Sequence, residues 1–137
     1  CDAHGSSSGM QDFRKLEVWQ LNRKLTVEIY RATAGFPPTE RFGLTAQMRS
    51  ASVSIGSNIA EGCGRGTTAD TLRFFQMAFG STTELLHQLI TSLDLGYLSE
   101  AKLRQLDEQL ETVRRKLAAF MRRLRPNSTG VHADRRA

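Results

Sequence analysis

Two segments of this sequence carry a seven-residue apolar period, and that period leaves little freedom over the fold. Leu103, Leu106, Leu110, Val113, Leu117, Phe120 and Leu124 alternate steps of three and four. So do Leu72, Phe75, Phe79, Thr82, Leu86, Leu89 and Leu93. Such spacing lines apolar side chains along one side of an α-helix, and that seam must be covered by other helices. Phe74, Ala78, Ser81 and Leu85 add a second, semi-apolar stripe to the earlier segment. A helix with two such stripes touches more than one neighbour.

The punctuation around these segments agrees. Thr67 precedes Asp70 by three residues, a capping-box-like start, and the helix it opens runs to about Leu95. Gly96 suits the left-handed residue that closes a helix, with Tyr97 following as its apolar contact. Ser99 caps the next segment, which runs to about Leu124 before Pro126 stops it.

Two further helices precede this pair. Val18, Leu21, Leu25, Ile29 and Ala32 share one face of a segment from Phe13 to Thr33, with Asp12 as its cap and Gly35 at its end. Phe36-Pro37-Pro38 forbids continuation. Leu44, Met48, Ala51, Ile55 and Ile59 then stripe a segment from Glu40 to Glu61, capped by Thr39. Its other faces are rich in serine, alanine and glycine, which let a neighbouring helix come close, and Gly56 is a place for a break. Cys63 falls in the Gly-rich turn Gly62–Gly66. Four helices joined by short loops predict an all-α, up-and-down antiparallel four-helix bundle over residues 11–125. Residues 1–10 read as a flexible leader or cloning remnant, and residues 126–137 as a flexible C-terminal tail.

At 137 residues the chain has one domain's length, and no apolar run approaches the ~20 residues of a membrane span. No secretory leader is recognisable and there is no CxxC pair, which together predict a cytoplasmic protein. The net charge of +5 allows an anionic partner.

Most of that charge gathers late. Arg114, Arg115, Lys116, Arg122, Arg123 and Arg125 lie between Thr112 and Pro126 with no acid among them. These six are the candidate nucleic-acid-binding residues, acting by phosphate neutralisation. The opposing reading is ordinary: cations at a helix C-terminus complement its dipole. Antiparallel packing would bring Arg14 and Lys15 to the same end.

Candidate chemistry is thin. Glu84-x-x-His87 is half of a di-iron carboxylate motif, but the other two histidines, His4 and His132, lie in the tails, so no second pair exists. The turn around Cys63 and Arg65 lacks a P-loop pattern and follows no strand. No catalytic, metal or cofactor residue is assigned, and a non-enzymatic protein is expected.

Several blocks resemble a known family. They are Phe13-Arg14-Lys15-Leu16-Glu17-Val18-Trp19-Gln20, Phe36-Pro37-Pro38-Thr39-Glu40 with Gly43-Leu44, the run Gln47–Gly62, Gly64-Arg65, Ala78–Ser81 and Leu95–Leu98. Over residues 11–124 the chain is similar to the four-helix-bundle family named for the protein encoded in 23S rRNA intervening sequences. It departs from the family at Gly56, where proline is usual. The resemblance implies a bundle that assembles into a ring, a homopentamer, with no reaction attached. It also implies kinship with accessory proteins of diversity-generating retroelements, which look like basic rings that bind a reverse transcriptase and nucleic acid. The expectation is therefore a homo-oligomer that binds RNA, DNA or a nucleoprotein partner through a basic rim. The alternative is a protein–protein scaffold with no nucleic-acid role.

Overall fold

Residues 12–125 are described in the computed structural model. The leader, the C-terminal tail, His4 and His132 lie outside them. Four helices follow in order: α1 (Glu17–Thr33), α2 (Leu44–Cys63), α3 (Thr68–Asp94) and α4 (Glu100–Leu124). Each packs on its chain neighbours, and α1 closes the cycle on α4. That is the four-helix bundle that the apolar periods require.

Helix ends fixed by local chemistry fall where the sequence puts them. Thr67 Oγ1 accepts from the Asp70 amide at 3.1 Å, and Ser99 Oγ accepts from the Lys102 amide at 3.0 Å. Gly96 closes α3 at φ 81°, with Gly96 N–H donating to Leu93 O and Tyr97 N–H to Ser92 O. Those two bonds are the Schellman pattern.

Two starts differ from expectation. Asp12 caps only a 3-10 turn, Phe13–Lys15, because Leu16 then adopts extended dihedrals. That kink brings the Phe13 ring edge-on to Trp19 at 5.0 Å, and α1 proper begins at Glu17. Likewise Pro38–Glu40 is a separate 3-10 turn, and α2 begins at Leu44 rather than Glu40. Its first amide is capped by the Glu40 carboxylate (Leu44 N to Oε1, 3.0 Å), not by Thr39. α2 is unbroken at Gly56, and Cys63 is its last, buried residue rather than part of the turn. Burial pushes the Cys63 thiol's ionisation upward, away from the reactive thiolate.

The α3 seam also turns. Its buried residues are Thr71, Phe75, Ala78, Thr82, Leu85, Gln88, Leu89 and Ser92, whereas Leu72, Phe79 and Leu86 are half-buried at the core's edge. The reason is α2. Its small residues let α3 approach so closely that small α3 residues must sit at the contact centre. Ser54 and Ser81 hydroxyls meet at 3.0 Å, Thr71 Oγ1 donates to Gly62 O at 2.9 Å, and a Cβ on Gly62 would lie 2.8 Å from the Phe75 ring.

At the loop end, family-like blocks distant in sequence meet. The Phe36 and Tyr97 rings lie 5.2 Å apart, and Tyr97 Oη donates to Glu40 Oε2 at 3.0 Å. One carboxylate therefore caps α2 with one oxygen and ties the α3–α4 loop with the other. That hydrogen bond, then desolvation and the Glu40 charge, raise the Tyr97 phenol above its ordinary value of 10.0. A group whose folded pKa is raised contributes stability below its unfolded value and loses it as pH rises through the folded one. Thermal melts should therefore show an alkaline loss of stability beginning near pH 10 that is absent in Tyr97→Phe. A variant with the same alkaline profile as the parent would remove the bond from the account.

Candidate nucleic-acid interface at the basic end

The up-and-down order sorts the charges along the bundle axis. One half comprises residues 12–25, 54–81 and 112–125, and holds both the start of α1 and the end of α4. It carries twelve Lys or Arg against four acids, Asp12, Glu17, Glu61 and Asp70, a net +8. The other half carries five Lys or Arg against eight acids, a net −3. The start of α1 meets α4 there, as antiparallel packing requires: Lys116 Nζ lies 3.2 Å from Glu17 Oε1, while Arg14 just before it is paired with Asp12 at 2.8 Å.

The six candidate cations divide among themselves. Arg114 is committed inward. Its side chain is only 23% exposed, pairs with Glu111 at 3.1 Å, donates to Thr82 Oγ1 at 3.2 Å and lies 4.9 Å from the centre of the Phe79 ring. Lys116 is neutralised by Glu17. Arg115 and Arg122 are one heptad apart on the solvent side of α4, and neither forms an ion pair among the described residues. Arg123 lies over the Phe120 ring at 5.0 Å, also with no acid partner among the described residues. Arg125 is exposed at the C-cap. Four of the six thus remain candidates for outward contact, while Arg114 serves the α3–α4 junction.

The structure adds cations that sequence spacing did not group with α4. Arg65 in the α2–α3 turn and Arg73 in α3 lie over the same Phe74 ring, at 4.6 and 4.7 Å. Arg73 has only a long contact to exposed Asp70, 3.9 Å. Arg65 has no acid partner among the described residues, and its Nε is buried without a hydrogen-bond partner. Arg73 is next to Phe74 in the sequence, but nothing in the sequence said that the turn carrying Arg65 would fold back onto the same ring.

Between the start of α1 and the end of α4 lies a cleft of about 260 Å³, lined by Leu16, Val18, Ala119 and Phe120 with Glu17, Lys116 and Arg123 at its polar side. A second concavity, about 410 Å³ and strongly apolar, lies between α1 and α2. Trp19, Val27, Val53, Gly56 and Ala60 line it, and Val27 and Val53 are exposed. Asn22 sits at its floor, donating to Ser52 O at 3.1 Å while its Oδ1 has no partner. A Cβ at Gly56 would press to 3.1 Å from Asn22 Nδ2, so the glycine keeps this floor open. His87 is exposed on α3, and among the described residues no three His, Cys, Asp or Glu side chains gather as a metal site. None of the described helices is long and apolar enough to cross a membrane.

Comparisons with known proteins agree on the architecture. A protein of unknown function from the S23 ribosomal protein family of Bacteroides thetaiotaomicron has a similar crystal structure, with a TM-score of 0.69 at 18% identity. The match covers 76% of this chain and 97% of that one. No curated protein matches. The sequence profile of the 23S rRNA-intervening sequence protein family matches residues 14–119. With the four-helix fold and a match across most of its length, the chain belongs to the 23S rRNA-intervening sequence protein family.

Proposed function

We propose that this protein is a non-enzymatic homo-oligomer that binds nucleic acid through the basic end of its bundle. The observation that carries this reading is the separation of charge along the axis, +8 against −3, with Arg65, Arg115, Arg122 and Arg123 unpaired by acids among the described residues. Cations left without acid partners in one region raise the local potential and attract a polyanion. Their origin in two separate parts of the chain, the α2–α3 turn and α4, argues that the fold gathers them, beyond what a single helix dipole requires.

Self-association is supported by a different surface. The α1–α2 face exposes Val27, Tyr30 and Val53 around the apolar groove, far more apolar than a solvated helix pair needs. Assembly through that face leaves the basic end open, and a pentameric ring is the arrangement we favour.

Purification at low salt, with mass by light scattering and the 260/280 nm absorbance ratio recorded together, tests both parts. The expected result is an oligomer carrying nucleic acid that is released at high salt. A nucleic-acid-free oligomer at low salt would transfer the reading to a protein–protein scaffold, for which the same apolar face is the motivating observation. A clean monomer would overturn the assembly.

A further inference from the structure

The basic end differs from a simple charged patch in how its arginines are held. Arg65 and Arg73 share the Phe74 ring and Arg123 lies over Phe120. A guanidinium resting on a ring is a planar cation already fixed in place, so it can stack on a base and loses little freedom when it does. Beside Arg123 the cleft between α1 and α4 offers an apolar floor of Leu16, Val18, Ala119 and Phe120. Among the described residues its one lining carboxylate, Glu17, is offset by Lys116 at 3.2 Å. Phosphates need no apolar floor. An unpaired base does: it carries a flat apolar face with a polar edge.

The shape of the end points the same way. Its cations come from the chain's entry at residues 12–15, the α2–α3 turn, the first turns of α3 and the last turns of α4. Among the described residues they surround a blunt tip, with no helix or ribbon projecting to enter a duplex groove about 12 Å wide. A flexible single strand can drape across such a tip, whereas a rigid duplex meets it along one line of phosphates.

We propose that the ligand of the basic end is a single strand, with one unpaired nucleobase seated in the α1–α4 cleft against Arg123 and its neighbouring phosphates on Arg122 and Arg115. This rests on the nucleic-acid reading above and goes further by naming the form of the nucleic acid and the subsite for a base.

Fluorescence anisotropy with a labelled 20-nucleotide single strand and with its duplex, at equal salt, tests it on the full-length protein. The expected result is single-strand binding about tenfold tighter than duplex binding. Arg123→Lys keeps the charge but loses the planar face. It should weaken the single strand about tenfold, as loss of one stacked base does, and leave duplex affinity, the salt slope and the melting temperature unchanged. A 2-aminopurine placed in the strand should change its emission with the parent protein and much less with the variant. Equal affinity for duplex and single strand would overturn the proposal while leaving the basic-end reading standing, as would an Arg123→Lys variant that binds the single strand as tightly as the parent or weakens both forms alike. Failure to bind either form would overturn both.

Discussion

Gly62→Ala should destabilise the bundle by about 1–3 kcal/mol, the usual cost of forcing an extra methyl into a packed core. Gly62 lies in the last turn of α2, whose backbone there lies against the fully buried Phe75, and a Cβ on it would come within 2.8 Å of two ring atoms and 3.2 Å of Phe74 Cβ. The ring cannot swing away, because it already packs on Phe120 with centroids 5.1 Å apart. Nor can the helices part cheaply, since Thr71 Oγ1 donates to the Gly62 carbonyl. Phe75→Leu removes the obstructing ring edge and should partly rescue Gly62→Ala, giving a coupling of at least about 0.5 kcal/mol in a double-mutant cycle. Urea denaturation of the four proteins measures it. Strictly additive effects would mean that Gly62 and Phe75 do not share this contact.

Arg115→Gln with Arg122→Gln should weaken nucleic-acid binding on the order of 100-fold at low salt, taking about 1.5 kcal/mol for each lost charged contact. It should also flatten the dependence of log K on log salt by about 1 for each cation removed. Both residues lie on the solvent side of α4 without acid partners among the described residues, so the variant should melt within a degree or so of the parent. Arg114→Gln should do the opposite. It breaks the contacts to Glu111, Thr82 and the Phe79 ring, leaving the buried Thr82 hydroxyl without that donor, and should lower stability while leaving the salt slope alone. Anisotropy titrations at several salt concentrations, paired with thermal melts, separate the two. A steep, unchanged salt slope in the Arg115/Arg122 variant would remove the outer stripe of α4 from the interface.

What could be read from the sequence followed the range of the interactions. The caps at Thr67 and Ser99 and the closure at Gly96 use partners within five residues, and the apolar period of α4 survives as its buried face from Leu106 to Leu117, after which Met121 rather than Phe120 is buried. The α2 stripe was legible for the same reason. Non-local effects were not. Leucine and phenylalanine mark the apolar side of α3, but its contact centre is set by how closely α2 approaches, which favours Ala78, Thr82 and Ser92. The cap of α2 comes from Glu40 four residues back, because Gly43 takes a non-helical conformation in between. The basic candidates form a charge cluster in the sequence, yet spacing along one helix could not tell that Arg114 turns inward or that Arg65 and Arg73 converge on Phe74. Those facts depend on which neighbour each face meets.

The lopsided charge makes the bundle an electric dipole aligned with its helices, and this governs motion before contact. In the field of a polyanion the molecule turns and arrives end first, over a range of about 8 Å at physiological ionic strength. Copies set side by side with parallel axes would add their dipoles into one positive and one negative face, and would repel each other in doing so. Under the proposed function salt would then act in opposite directions: it would relieve the repulsion between copies while loosening their grip on nucleic acid.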